Sequence, residues 1–131
     1  MKLTMTRYAV RPGKETLARE WMEVLNQRHA EVQATLADEK MALEAIFIEE
    51  GETGMTLTWV DLQGAGQDVL VSEHPIDQVH LKYWRECIDP AVSPVELLSV
   101  NCFADPRVQQ ALLAAIKQAR YLLSAILLRA Q

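Results

Sequence analysis

The stretch Met41–Gln63, MALEAIFIEEGETGMTLTWVDLQ, decides the predicted fold. Two runs rich in apolar and β-branched residues, Met41–Glu50 and Met55–Gln63, are separated by Gly51–Gly54. A glycine-bounded link of this length between two such runs is typical of an antiparallel hairpin. The sequence therefore predicts two consecutive strands near the middle of the chain.

One strand and one helix are predicted on each side of this hairpin. On the amino side, Leu3–Val10 alternates with period two, and a long amphipathic helix follows over about Lys14–Leu36. On the carboxyl side, a helix is predicted over about residues 75–88 and a strand over Val95–Phe103. The order β-α-β-β-α-β predicts an α+β, ferredoxin-like fold, in which one antiparallel sheet carries two helices on one face.

The last part of the chain differs from the rest in charge. Residues 1–105 hold nine basic and eighteen acidic residues, whereas residues 106–131 hold four basic residues and no acidic ones. Asp105 and Pro106 favour the start of a helix, because Asp caps well and Pro is tolerated at the first helical position. We therefore expect a ferredoxin-like domain over 1–105 and an added C-terminal helix over 106–131. The broad apolar stripe of this helix predicts that it packs on its own domain or on a partner chain.

The predicted sheet is apolar on both faces. In the hairpin, residues of opposite phase are both hydrophobic: Met41, Leu43, Ala45 and Phe47 oppose Ala42, Ile46 and Ile48, and Met55, Leu57 and Trp59 oppose Val60 and Leu62. Such a sheet must be covered on both sides. A second copy of the same sheet would supply the cover in a homodimer. The terminal helix is the alternative cover, and it would leave a monomer.

Composition narrows the class of protein. Half of the 131 residues are hydrophobic and the net charge is −5, which argues against a general nucleic-acid binder. The two cysteines form no CxxC pattern, which favours reduced thiols and a cytoplasmic location. Because no uncharged apolar stretch reaches about 18 residues, no membrane-spanning helix is predicted.

The segment Ser72–Pro90, SEHPIDQVHLKYWRECIDP, concentrates residues that can carry chemistry. Asp77 and His80 are three residues apart on the predicted helix, so their side chains can meet on its surface. A carboxylate that holds an imidazole is the arrangement a general base requires. The alternative is structural: Asp77 orients the first helical turn, and His80 packs half-buried with its ring nitrogens satisfied.

A cleft beneath helix 75–88 is the predicted ligand site. We expect His74 at its mouth, with Tyr83, Trp84 and Trp59 positioned to stack on a ligand. Ordinary core packing is the alternative role for these aromatic side chains. The sequence contains no HxxxH or HExxH pair and no phosphate- or dinucleotide-binding fingerprint, so neither a metal nor a cofactor is predicted.

Three segments carry a family resemblance: REWMEVLN (Arg19–Asn26), EAIFIEE (Glu44–Glu50) and the segment Ser72–Pro90. Together they resemble a family of uncharacterised bacterial proteins, known as a domain of unknown function, within the dimeric α/β-barrel superfamily. The resemblance covers about residues 3–103, and its most specific part is the segment Ser72–Pro90. It implies two ferredoxin-like sheets paired in a homodimer. The superfamily includes cofactor-free oxygenases, haem-degrading enzymes and isomerases, so the resemblance selects no reaction.

The sequence as a whole predicts a homodimeric domain that binds a small molecule beneath helix 75–88. Two alternatives stay open. One is a cofactor-independent oxygenase or isomerase that uses His80 and Asp77, and the other is a non-enzymatic oligomerisation or interaction protein. The sequence decides neither the ligand nor whether the chain is an enzyme.

Overall fold

The computed structural model describes residues 2–64 and 69–116. In these ranges the elements are β1 (Lys2–Ala9), α1 (Glu15–Gln27), α2 (His29–Glu39), β2 (Met41–Gly51), β3 (Gly54–Gln63), a 3₁₀ turn (Val69–Val71), α3 (Pro75–Cys87) and β4 (Val95–Leu98). Residues 106–116 are also helical. The strands form one antiparallel sheet in the order β2-β3-β1-β4. This order confirms the predicted ferredoxin-like arrangement.

The predicted hairpin is present as the pair β2 and β3. The ladder ends at the pair Gly51 and Gly54, so a loop of two residues joins the strands. Gly54 has a φ of +118°, a conformation that side-chain-bearing L residues rarely adopt. The glycine that marked the turn in the sequence is therefore required by the backbone there.

A β-bulge at the start of β2 changes which side chains face the helices. The register shifts between Met41, which pairs with Gln63, and Leu43, which pairs with Leu62. Because the bulge adds one residue to β2, Met41 lies on the same face as Glu44 and not on the face of Leu43. The prediction that Met41 and Leu43 share a face is therefore wrong.

The long helix predicted over about Lys14–Leu36 is two helices. Arg28 separates α1 from α2 with φ −102° and ψ +32°, outside the helical range. The Arg28 guanidinium bridges the break by donating two hydrogen bonds to the Glu31 carboxylate, at 2.9 and 2.6 Å. The apolar spacing continues across the break, so periodicity alone does not reveal it.

β4 is shorter than the predicted strand Val95–Phe103. It ends at Leu98, which pairs with Thr4 of β1. The Ser99 N–H still donates to the Leu3 carbonyl oxygen at 3.4 Å. Beyond it the chain leaves the sheet, and the side chains of Val100 and Phe103 are 96% and 90% exposed.

The hydrophobic core lies between the helices and one face of the sheet. Trp21 of α1, Leu57 of β3, and Ile76 and Cys87 of α3 are fully buried. The other face, termed the bare face below, exposes large apolar side chains: Phe47 (59% exposed), Leu43 (46%), Val95 (45%), Leu97 (45%) and Met5 (40%). Within the described residues, one side of the sheet is thus a packed core, and the other exposes large apolar side chains, although Leu62, which pairs with Leu43, is buried.

The helical residues 106–116 approach the end of β3. The Ile116 side chain passes within 2.6 Å of where a Cβ on Gly64 would lie, so only glycine at that position permits the contact. The rest of the predicted C-terminal helix, from residue 117, lies outside the described residues. Within the described part of the chain, no helix is long and apolar enough to cross a membrane.

Candidate functional site

An open cavity of about 450 Å³ lies between the sheet and the helices α2 and α3. Its volume falls within the range of roughly 300–1,000 Å³ that is usual for small-molecule sites. Side chains from β1, β2 and β3 form its floor, and α3 contributes Ile76, Asp77, His80 and Trp84. The cavity therefore lies beneath α3, where the sequence predicts a cleft.

Two carboxylates face each other on the cavity floor. Glu44 of β2 and Asp61 of β3 are directly paired in the strand register, and both line the cavity. Thr4 of β1 donates a hydrogen bond of 2.8 Å from Oγ1 to Oδ1 of Asp61. Since like charges in directly opposed positions destabilise a sheet, this pair is costly for the fold.

Two further carboxyl groups, Glu39 at the end of α2 and Asp77 on α3, also line the cavity. Asp77 is buried and accepts a short hydrogen bond at Oδ2 from the Ser72 hydroxyl. The same hydroxyl oxygen accepts from the backbone N–H of His74 at 3.2 Å. Asp77 is thus tied to the chain that enters α3, as the structural alternative predicts.

The environment of Glu44 raises the pKa of its carboxyl group from 4.5 to about 7. Burial is the main cause, because it penalises the ionised form, and the negative charges of Glu39, Asp61 and Asp77 add to it. At neutral pH Glu44 is therefore present in both its protonated and its ionised form. A group in that state can donate and accept protons, which is the property that general acid–base catalysis needs.

His80 is held by a tryptophan. Its Nδ1 accepts a hydrogen bond of 3.2 Å from Nε1 of Trp21, so in the neutral ring the proton is on Nε2. Burial lowers the pKa of His80 from 6.5 to about 4, against the smaller opposing effect of Asp77, and the ring stays neutral at pH 7. The prediction that Asp77 holds His80 by a hydrogen bond is wrong, because their partners are Ser72 and Trp21.

Aromatic side chains form one wall of the cavity. Trp59 and Trp84, both predicted to contact a ligand, line it together with Tyr8. The centroid of the Tyr8 ring lies 5.6 Å from that of Trp59 and 4.6 Å from that of Trp84, in edge-to-face geometry. The two tryptophans therefore belong to the core and to the cavity wall at once, and the two sequence alternatives for them are compatible.

The other two predicted ligand contacts lie elsewhere. His74 precedes α3 and pairs through Nε2 with Oδ2 of Asp38 at 2.8 Å, which raises the pKa of the imidazole. The Tyr83 hydroxyl donates to Oε1 of Glu20 at 2.8 Å on the exposed side of the helix pair. Neither residue is among those that line the cavity. A contact of either with a ligand stays a prediction.

Sequence reasoning missed Glu44 and Asp61. Both interrupt strands that are otherwise apolar on the same face, Glu44 next to Ile46 and Asp61 next to Trp59. A charged residue in an inward position is the one local signal that could have identified them. The described residues include no group of three or more His, Cys, Asp or Glu side chains arranged to hold a metal ion.

Fold and cavity define a ferredoxin-like α+β protein with an acidic cavity between helices and sheet. The chain belongs to a family of unknown function, DUF6176, whose model matches residues 1–109. This confirms the expected membership of an uncharacterised family; that the segment Ser72–Pro90 marks this family stays a prediction.

Among solved structures, the chain is similar to the crystal structure of an L-rhamnose mutarotase from Formosa agariphila. The two are 19% identical, the match covers 80% of this chain and 99% of that chain, and the TM-score is 0.50. A likeness at this level of identity shows the fold alone. No curated protein matches the sequence.

Proposed function

We propose that the chain binds a small cyclic polyhydroxylated molecule, of the pyranose kind, and interconverts two of its isomers by proton transfer. The observation that carries this proposal is Glu44, a carboxyl group with a pKa of about 7 on the floor of a cavity of about 450 Å³. Groups with pKa values shifted to neutrality by burial and like charges are common at catalytic sites.

The likeness in fold to a mutarotase is compatible with this proposal. Interconversion of sugar anomers needs an acid and a base at one carbon atom and no exchange of electrons. The cavity offers carboxyl groups in the position to supply both, and the aromatic rings of Trp59 and Trp84 can pack on the apolar face of a sugar ring. Of the alternatives drawn from the sequence, the isomerase therefore fits this cavity best.

Glu44 alone can supply both proton transfers of the proposed step. Protonated Glu44 donates its proton to the ring oxygen while its other oxygen takes the proton of the anomeric hydroxyl. The bond between the anomeric carbon and the ring oxygen breaks, the anomeric carbon becomes an aldehyde carbonyl, and Glu44 is left protonated. Rotation about the adjacent carbon–carbon bond and reversal of the step close the ring as the other anomer.

His80 has a positioning role in this proposal. Because Trp21 occupies Nδ1, the neutral ring retains the Nε2–H as its donor, and His80 lines the cavity. A pKa of about 4 keeps this donor uncharged at neutral pH. His80 would orient a substrate hydroxyl by a hydrogen bond, and it would not act as the general base that the sequence suggested.

The proposal is tested by NMR exchange spectroscopy on a panel of aldopyranoses that includes L-rhamnose. The wild-type chain should accelerate anomer exchange for at least one sugar, and Glu44→Gln should lower that rate by about 100-fold or more. Glu49→Gln, at an exposed carboxylate of the same strand, is the matched control and should keep the rate. Exchange no faster than in buffer, or a fully active Glu44→Gln, would show that the proposal is wrong.

We also propose that two copies of the chain pair through the bare face. Phe47, Leu43 and Leu97 are each 45% or more exposed there, and burial of such side chains is worth roughly 1.5–3 kcal/mol each. Analytical ultracentrifugation should show a dimer for the wild type and a monomer for Phe47→Asp. Val92→Asp, at a similarly exposed apolar residue between α3 and β4, should leave the dimer intact. A monomeric wild type would contradict the proposal.

A further inference from the structure

The cavity carries charge of one sign only. Four carboxyl groups line it, from Glu39, Glu44, Asp61 and Asp77, and none of the described lining residues is Lys or Arg. His80 adds no positive charge at neutral pH, because burial holds its pKa near 4. Nearby arginines are paired on the outer surface, Arg19 with Glu50 and Arg28 with Glu31. Within the described residues, the cavity lining therefore includes no positively charged side chain at neutral pH.

Aromatic rings border the same space. Tyr8, Trp59 and Trp84 line the cavity, and the ring centroids of Trp59 and Trp84 are 5.3 Å apart. The faces of tryptophan and tyrosine rings attract cations within about 6 Å of the ring centroid. Carboxylates together with aromatic faces make a combination that stabilises an organic cation and repels an anion.

We propose that the ligand of this cavity carries a protonated amino group, and that the cavity discriminates against sugar acids and sugar phosphates. This inference rests on the proposed function, from which it takes the kind of ring that binds. It adds that a substituent of this ring is positively charged. A cation placed beside Glu44, Asp61 and Asp77 supplies a positive charge that none of the described lining side chains carries at neutral pH. An anionic substituent would instead add to the repulsion that already opposes ionisation of Glu44.

Binding of such a cation should depend on pH through Glu44. The titratable groups that line the cavity around it come from β1, α2, β3 and α3: Tyr8, Glu39, Asp61, Asp77 and His80. The pKa of Glu44 is about 7, so this carboxyl group gains negative charge between pH 6 and pH 8, whereas burial holds the pKa of His80 near 4 and keeps the imidazole neutral over that interval. The attraction for a cation should therefore increase over that interval, whereas a primary alkylammonium group stays charged throughout it.

A set of three pyranoses that differ only at carbon 6 tests the inference: 6-amino-6-deoxyglucose, glucose and glucuronate. Dissociation constants are measured by tryptophan fluorescence and NMR titration at pH 6 and pH 8. We expect the amino sugar to bind at least tenfold more tightly than glucose at pH 8, and glucuronate to bind more weakly than glucose. The advantage of the amino sugar should be smaller at pH 6, and Glu44→Gln should show the smaller advantage at both pH values.

The possible outcomes separate this inference from the proposed function. Glucuronate binding as tightly as the amino sugar, or an advantage that is the same at both pH values, overturns the charge preference. Binding in the expected order without faster anomer exchange supports the charge preference and overturns the proposed catalysis. If none of the three sugars binds, the charge preference is overturned, and the proposed function is decided by the exchange measurement on the full panel alone.

Discussion

The two faces of the sheet depart in opposite ways from the usual placement of charged and apolar residues. The helix-covered face is buried, with Leu57 and Met55 almost fully inaccessible, yet it carries Glu44 and Asp61 in directly opposed positions. The bare face is open, yet it presents Phe47 with 59% of its surface exposed. The carboxyl groups thus lie where burial makes their desolvation most costly. The large apolar side chains of the bare face lie where they do not stabilise a single chain, because they stay in contact with solvent.

This contrast indicates where function is concentrated. A sequence that optimised stability alone would place apolar residues at 44 and 61 and polar ones at 47. Proteins keep such departures mainly at sites that bind or react. The covered face thus supports the proposed proton-transfer site, and the bare face supports the proposed interface. Substitutions on the two faces should therefore differ in how their effects on stability depend on pH and on protein concentration.

The largest expected effect comes from a matched pair of truncations on the two faces. Leu57→Ala should lower the free energy of unfolding by about 3 kcal/mol, because it leaves a cavity in the core. Phe47→Ala should cost less than about 1 kcal/mol in the monomer, since the side chain is mostly exposed there. Urea unfolding at low and high protein concentration measures both. If two copies pair through the bare face, only the cost of Phe47→Ala grows with concentration.

A smaller effect should appear in the pH dependence of stability. The folded-state pKa of Glu44 is raised above its usual value, so the folded state binds this proton more tightly than the unfolded state does. Stability is consequently lost as pH rises from about 4.5 through 7. Glu44→Gln removes that loss and should be more stable than the wild type by about 2 kcal/mol at pH 8, with little difference at pH 4.5.

Thermal unfolding of Glu44→Gln and of the control Glu49→Gln across this pH range is the measurement. The contribution of His80 cancels in the comparison of wild type with variant, because both retain it. A stability difference that does not change with pH would contradict the assignment of a raised pKa to Glu44.

The smallest effect is expected at the entrance to α3, outside the cavity. The hydrogen bond with Asp38 raises the pKa of His74, so its stabilising contribution is present below the unfolded pKa and is lost as pH rises through the folded one. His74→Gln should lower the melting temperature slightly at pH 5.5 and leave it unchanged at pH 9, since exposed ion pairs contribute little. His29→Gln, an exposed histidine of α2, is the control. An equal loss at both pH values would show that the pair with Asp38 is not the cause.

Much of the fold could be predicted from local sequence. The glycine-bounded hairpin, the period-two strands and Pro75 at the start of α3 each act over a few residues, and the structure has all three. The errors arose where local pattern carries no information. Apolar spacing continues through Arg28 although the helix breaks there, and the alternation predicted for Val95–Phe103 continues past Leu98 although β4 ends there.

The candidate site was only partly predictable. The cleft beneath α3 and two of its aromatic walls, Trp59 and Trp84, follow from the phase of their own elements. The hydrogen bond between Trp21 and His80 joins residues 59 positions apart, and no local pattern encodes it. The hydrogen bond expected between Asp77 and His80 is not formed for the same reason, since helical spacing gives proximity but does not show that Asp77 binds Ser72; a catalytic role for the two residues stays a prediction.

The sequence by itself determined the order of the elements, the ferredoxin-like fold and a sheet apolar on both faces, because these depend on residue periodicity over short distances. Only the tertiary structure decided that Glu44 is the group that titrates near neutrality. That outcome needs the bulge at the start of β2, the register that sets Glu44 against Asp61, and burial beneath the helices. A pKa is fixed by the surroundings of a group in space, and those surroundings come from four separate segments of the chain.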